Sequence, residues 1–598
     1  MGKIYFNAND LGDKYYDFVV VGAGNAGGVI AARLAENPHF KVLVIEAGLS
    51  DTEPESDVLR TPFLAGLAVG TKFDWDYKTT PQAGLNGREI PFPRGYVVGG
   101  SSNTNSLVYL RGPSEDFDRL ANISGDQGWS WTSLQKYIKM NERHVRPWNN
   151  RNDENDYNPA VHGDGPLQTT LVAEPTDLDQ RVIKAANELQ GQFRYNLDLN
   201  SGDGLGVGWI HTTVGGGARS SSSTAFLKPA IESRENIDLL VHYHVTRLLP
   251  AEGGSLDFRT VELAQDASSQ RIILTAKKEV ILCAGAIGTP QILQLSGIGP
   301  KAVLDRAGIA QLVDAPDVGR HLQDQPIIFY QWRVNSTTLS SFFRDPANVG
   351  ASMAEYAASK TGFAAGVAFF STIAFLRLPD HSPIIKAEHK DPAAGPNSSH
   401  YLYSFLNSYA PNPGQEPGPT EGDWISIAAV LQSPTSGESF FACLGAAADT
   451  MAEGSVEIQS SSAFDHPAIN PAYLSTAFDL NTMITTFKTT AEFFSAPIWT
   501  GYIAEPDPEI TGLTTDAAIE AYVRKYSTTV KHPVATARIS KAGAIDGVVG
   551  PDLCVKKITG VRVVDASVLP FASAGFPQAQ IYILAERAAA LIKEKWSN

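Results

Sequence analysis

Three glycines and one glutamate carry the first recognisable chemistry in this chain. Gly22, Gly24 and Gly27 stand in the run Gly-Ala-Gly-Asn-Ala-Gly, and Glu46 follows 19 positions after Gly27. Gly22 permits a tight turn, Gly24 lets the main chain approach a pyrophosphate, and Gly27 lets a helix lie against a strand. Asn25 and Ala26 open that helix, whose unpaired N–H groups suit phosphate oxygens. Glu46, followed by Ala47, is placed to accept hydrogen bonds from ribose hydroxyls. A glycine run alone is weak evidence. It becomes specific for an adenine dinucleotide with a strand before it, a helix after it and an acid at this distance.

The flanking residues supply those elements. Asp17 to Val21 is a short apolar run without helical period, which predicts a buried parallel strand. An alanine-rich helix pattern runs to about Glu36 and is stopped by Asn37-Pro38. Lys41 to Ile45 predicts the next strand. Further strands are expected at Ile237 to Val241, Val245 to Leu249 and Glu279 to Cys283, the last leading through Ala284 into another glycine turn and helix. Asn149 to Asn158 reads as a surface loop, and Ser220 to Ser223 as either a helix cap or a cofactor contact. From about 330 to 530 the period changes and aromatic clusters appear (Phe342-Phe343, Phe369-Phe370, Tyr401 to Tyr409), as lid core or as substrate contacts. Val561 to Asp565 and Tyr582 to Lys595 predict a final strand and helix that resemble the opening unit, so the chain ends should meet in one domain.

Composition excludes several classes. The 598 residues suffice for two to four domain-sized units, with 43% hydrophobic and 19% charged residues, as in a soluble globular protein. A net charge of −16 argues against nucleic acid or an anionic membrane as partner. Cys283, Cys443 and Cys554 are widely spaced and without metal-ligand partners, which argues against a disulfide framework and more strongly against a structural zinc site. The apolar stretch Ala364 to Leu376 is too short to span a bilayer. The N-terminus lacks a signal-peptide pattern, so the chain reads as cytoplasmic, or secreted if a leader was removed; sequons at Asn122, Asn335 and Asn397 keep secretion open.

Four dispersed segments resemble the glucose-methanol-choline (GMC) flavoprotein oxidoreductase family, with fungal aryl-alcohol oxidases as the most similar subgroup. They are the glycine run with Glu46, the stretch Pro93 to Asn105, the run Gly285 to Gly299, and His532-Pro533-Val534 together with Val563 to Ser567. Arg219 to Leu227 and Asp324, at the end of Val318 to Asp324, add to the likeness. The resemblance implies an α/β fold: a Rossmann-like FAD domain plus an α+β substrate domain with an antiparallel sheet. It implies FAD, with Gly99, Gly100, Ser101, Asn103, Thr104 and Asn105 near the flavin ring and Arg94 and Ser106 also among the cofactor-binding residues. Val245 would meet the adenine, Asp565 the ribityl chain or pyrophosphate, and the helix starting at Pro577-Gln578 the flavin pyrimidine, with Ala284 and Ala566 as further cofactor-binding residues. Some relatives attach FAD through a histidine in the Gly99-Gly100 turn. Here that turn continues Ser-Ser-Asn-Thr-Asn, so non-covalent FAD is expected.

The family's chemistry is alcohol oxidation, with a base removing the hydroxyl proton while hydride passes to flavin N5. The resemblance makes His532 that base, a task suited to imidazole. Without the family, a histidine beside proline in a loop reads more often as structural than as catalytic. The usual second histidine or asparagine should lie about 44 positions later, where this chain has Phe576, which offers no conventional hydrogen bond. Ala535 replaces the usual glycine after His-Pro-Val, and Lys531 and Ser106 replace aromatics of the aryl-alcohol oxidases. Three readings follow: alcohol oxidation by His532 alone, with Lys531 or water as substitute donor; a non-redox lyase or cyclisation reaction; or flavin binding without turnover. The first is preferred, on a primary aromatic or allylic alcohol. The expected organisation is an FAD-binding portion at 14–330, a substrate-binding domain at 331–535 and a return to the FAD domain at 536–598. The expected partner is a small-molecule substrate, with no metal, on a monomeric chain.

Overall fold

A computed structural model describes residues 1–12, 15–367, 369–388, 391–436 and 453–596. Two sheets organise the chain. The first has eight strands, and its order begins Ile4–Tyr5, Ile237–Leu240, Val42–Ile45, Tyr16–Val21, Ile272–Leu282. All pairs in that row are parallel, and Val561–Val563 adds in parallel beside Ile272–Leu282. Every residue of Tyr16–Val21 and Val42–Ile45 is buried, as in a sheet covered on both faces. The first helix, Asn25–Leu34, packs against the C-terminal helix Pro577–Trp596. Arg33 Nε donates to Glu586 Oε2 at 2.8 Å across that contact, which ties the first and last helices together. The first helix stops two residues short of Glu36, where the Ala35 N–H closes on Ala31.

The second sheet is antiparallel throughout, in the order Ile503–Pro506, Pro326–Val334, Asp423–Leu431, Tyr401–Leu406, Phe370–Leu376, Gly206–Trp209. Thr528–Thr529 also pairs with Pro326–Val334. The apolar stretch Ala364 to Leu376 thus ends in a strand of this sheet, with every residue of Phe370–Leu376 buried. Among the described residues no helix is long and apolar enough to cross a membrane. Cys283 and Cys554 are free thiols, and Cys443 lies outside the described residues.

Two local expectations change, and a third is settled by hydrogen bonds. The strand Gly206–Trp209 belongs to the second sheet although it lies within 14–330, and the strand Pro326–Val334 straddles the expected boundary at 330. Asn149 to Asn158 is not only surface: Asp153 is buried and bonded to His144, with Oδ2 3.0 Å from Nε2. Ser221 caps the helix that follows it: its Oγ accepts from Thr224 N at 3.3 Å, and its N–H donates to Thr224 Oγ1 at 2.9 Å. Ser222 Oγ reaches Ser102 Oγ at 3.2 Å, and Ser223 Oγ donates to Asp51 at 2.8 Å, so these serines tie down the neighbouring turn.

Candidate active site

The parallel sheet ends at an elongated cleft that, together with the solvent space at its mouth, encloses about 1010 Å³. Its floor is two glycine turns in contact. A Cβ on Gly100 would lie 2.8 Å from Gly24 Cα, and one on Gly27 would lie 1.9 Å from the Gly22 carbonyl oxygen. A Cβ on Gly24 would meet nothing nearer than 3.9 Å, so its open side faces the cavity. Gly22 has φ of 100°, which a side chain would strain. No side chain caps the helix that starts at Asn25, leaving its first N–H groups for a ligand. Glu46 is buried beside the turn, its two oxygens accepting from Ala23 N and Gly48 N at 2.8 Å each. Burial pushes this carboxyl up to about 7 against those two hydrogen bonds. An elongated cradle with an acid at one side and an uncapped helix start fits an adenine dinucleotide such as FAD.

Gly22, Gly24, Asn25, Ala26, Glu46, Ala47, Arg94, Gly100, Ser101, Val245, Ala284, Asp565 and Ala566 all line this cavity. The other residues expected at the cofactor stand behind its wall. Gly27 packs helix on strand. Gly99 has φ of 95° and accepts from Ser102 Oγ, while Asn103 Nδ2 donates to Val98 O at 2.7 Å, so both shape the turn from within. Asn105 Nδ2 donates to Gln578 Oε1 at 2.5 Å, linking the turn to the start of the C-terminal helix at Pro577. Thr104 is half-buried and Ser106 is exposed, neither in the cavity wall. Asp565 lines the cavity, but its carboxylate accepts from Gly285 N, Thr289 Oγ1, Ser567 N and Ser567 Oγ. Four donors fill a carboxylate's capacity, so Asp565 holds the cradle together rather than offering a free oxygen.

Sequence reasoning passed over Arg219 as a scaffold and His244 as wall. Arg219 is buried and donates to the carbonyls of Leu59, Ser102 and Asn105 and to Asn105 Oδ1, threading the glycine turn from below. Burial pushes its guanidinium down to about 9. His244 lines the cavity next to Val245, and burial pushes its imidazole down to about 4, so it is neutral.

His532 is positioned by sheet register. Thr529 pairs with Pro326, and Val534 pairs with Gln323, so Val530 to Pro533 is pinned against Asp324-Gln325. Buried Asp324 accepts from His532 N at 2.6 Å and from the hydroxyls of Tyr473 and Thr529. Gln325 sets the tautomer. Its Nε2 donates to Gln432 O at 2.8 Å and Ser573 O at 2.9 Å, which turns Oε1 towards His532 Nδ1 at 2.7 Å. Nδ1 must then carry the proton, and Nε2 keeps a free lone pair. Burial, then Arg94 and Lys531, push this imidazole down to about 3, so the basic form is present at neutral pH. Gln325 was missed, although it directly follows the Asp324 motif.

Phe576 stands where expected. Its ring meets that of His532 edge to face, with centroids 5.1 Å apart. Its N–H donates to Leu110 O at 2.9 Å, and it packs with Phe369, Leu406, Ile327 and Val530 against an apolar cluster. Lys531 is exposed; Arg94 Nη2 donates to its carbonyl at 2.8 Å. Desolvation by the surrounding protein, then Arg94, hold its ammonium below the ordinary lysine value.

Lys531 and Ala535 bracket the histidine with φ of 71° and 75°, in the left-handed region. Ala535 is wholly buried, so it tolerates this conformation only because its side chain is a single methyl. Ala535→Val is expected to cost about 2–4 kcal/mol by strain and overpacking, whereas Ala535→Gly should shift stability by less than about 1 kcal/mol. Chemical unfolding of the two variants with flavin bound checks this; equal losses would contradict it.

Comparison with known proteins agrees with this architecture. The GMC oxidoreductase N-terminal family model matches residues 16–327 and the C-terminal one residues 450–585. Pyranose dehydrogenase 3 of Leucoagaricus meleagris is 35% identical, covering 99% of this chain and 95% of its own length. Alcohol dehydrogenase [acceptor] of Pseudomonas putida is 32% identical over 97% of this chain and 96% of its own. Among solved structures, formate oxidase of Aspergillus oryzae superposes with a TM-score of 0.85 at 27% identity, covering 98% of this chain and 99% of that one. A fungal aryl-alcohol oxidase reaches 0.80 over 98% of this chain and 100% of its own, but at 24% identity it supports the fold alone. With both family models matched in order and relatives covering nearly the whole length, this chain belongs to the GMC oxidoreductase family of flavoproteins.

Proposed function

We propose that this protein oxidises a primary aromatic or allylic alcohol to its aldehyde, using non-covalent FAD and His532 as the only side-chain base. Membership of the family already makes it an oxidoreductase of alcohols or sugars. One observation carries the finer reading: a neutral imidazole, with Nδ1 spent on Gln325 and Nε2 free, faces an apolar ring. Bound FAD supplies the hydride acceptor. His532 Nε2 takes the hydroxyl proton, and Gln325 Oε1 stabilises the imidazolium through Nδ1–H. Phe576, Phe369, Leu406 and Val530 give the alcohol's carbon skeleton an apolar surface.

A pyranose would place several hydroxyls against those side chains. Each hydroxyl left without a partner costs about 1–3 kcal/mol, which favours an aromatic or allylic substrate over the sugars named for the relatives. The Gly99-Gly100 turn holds no histidine, cysteine or tyrosine through Ser106, which supports a non-covalent cofactor that acid precipitation should release. Anaerobic mixing with benzylic and allylic alcohols should bleach the flavin band faster than mixing with pyranoses. Bleaching by pyranoses alone would overturn the substrate class. A second reading, a non-redox lyase or cyclisation reaction, is favoured by the same Phe576 wall; product formed without bleaching would establish it.

A further inference from the structure

Behind the segment on which Phe576 docks lies a closed nest of imidazoles and carboxylates with no part in the oxidation. Ring centroids are 4.8 Å apart for His162 and His211, 5.5 Å for His144 and His211, and 5.9 Å for His144 and His162. Glu142, Asp153 and Asp198 border the rings. Exposure is at most 5% for the side chains of His144, His162 and the three acids, and 1% for His211. Both ring nitrogens of His211 lack a hydrogen-bond partner, as does His144 Nδ1. A buried polar atom left unsatisfied costs about 1–3 kcal/mol, so His211 alone is an expensive residue here unless something binds it.

The surrounding hydrogen bonds have the form of a prepared ligand shell. His162 Nε2 lies 2.9 Å from Asp198 Oδ2, while its Nδ1 faces Glu142 Oε1 at 3.1 Å. Glu142 is held in turn by Arg111 Nη2 and by Thr169 Oγ1. A histidine anchored to a carboxylate through one nitrogen, with the other turned to a common centre, is the usual outer support of a metal-bound imidazole. His144 repeats the pattern, with Nε2 on Asp153 and Nδ1 free. One potential ligand atom each from His162, Asp198 and His211 lies within 4.8 Å of the other two.

We propose that His162, Asp198 and His211 bind a structural zinc ion, with its fourth position facing His144. Two imidazoles and one carboxylate suit zinc, whereas calcium and magnesium prefer oxygen-only shells. Tetrahedral bonds near 2.0–2.1 Å bring ligand atoms to about 3.3 Å apart. His211 can turn to reach that spacing without breaking any side-chain hydrogen bond. Zinc takes the place of the proton shared by His162 Nε2 and Asp198, and that proton leaves to solvent. The ion would brace the substrate wall, because Tyr109 N donates to His211 O at 2.8 Å and Phe576 N donates to Leu110 O at 2.9 Å.

Flavin-loaded enzyme grown with added zinc, then dialysed against EDTA, should retain about one zinc per chain by elemental mass spectrometry. Asp198→Asn and His211→Ala should each lose at least about nine-tenths of that zinc while keeping the flavin spectrum. Should either variant fail to fold, guanidinium unfolding of the wild type in the presence of a chromogenic zinc chelator decides, with release expected only on unfolding. Flavin-loaded enzyme without zinc, or zinc retained by both variants, overturns the site.

Discussion

Replacing His532 with alanine should slow anaerobic flavin reduction by about 10²- to 10⁴-fold while leaving the flavin bound. The base is lost, but the cofactor cradle is built from other residues: of the His-Pro pair only Pro533 lines that cavity. The pH profile of the unmodified enzyme gives a second view of the same group. Burial lowers the pKa of this imidazole to about 3, so protonation, and with it loss of rate, belongs to strongly acid solution. The reduction rate should therefore stay level through neutral and mildly acid pH, and fall only as pH approaches that value. A half-loss near the ordinary histidine value of about 6.5 would mean that the working imidazole is solvated. Full activity in His532→Ala would remove it from the reaction.

Phe576→His is expected to raise the rate of alcohol oxidation by about 10²-fold or more, the usual contribution of one acid/base group. The Phe576 ring already stands edge to face with His532, so an imidazole there would bring a donor to the alcohol oxygen held by Nε2. The main chain that carries it is fixed by Phe576 N to Leu110 O and by Ala574 N to Asp116 Oδ2 at 2.7 Å, so the new ring inherits a defined position. The gain should be largest with polar alcohols, because the variant also gives up part of an apolar wall. No increase with any alcohol would show that the absent partner does not limit this enzyme, and would turn attention to the non-redox reading.

Local chemistry was legible in the sequence wherever neighbouring residues produce it. The turn at Gly22 to Gly27 needs glycine within one strand–helix unit, and Glu46 ends the next strand, so type and spacing sufficed to place both. His532 and Phe576 could be singled out through a family motif, and the structure sets their rings edge to face. What only the tertiary structure decided is made by partners distant along the chain. Gln325, 207 positions from His532, chooses which imidazole nitrogen is free, because antiparallel pairing of Thr529 with Pro326 brings the two together. Arg219 threads the Gly99 turn from a segment more than a hundred residues away. Gly206–Trp209 joins a sheet whose other strands begin at Pro326, so no linear boundary separates the domains. The nest of His144, His162 and His211 gathers single residues from one short strand and two loops and has no periodicity or motif spacing. Sequence records which groups a short stretch of backbone can present; which of them share a proton or a ligand depends on sheet register and burial, set by the whole chain at once.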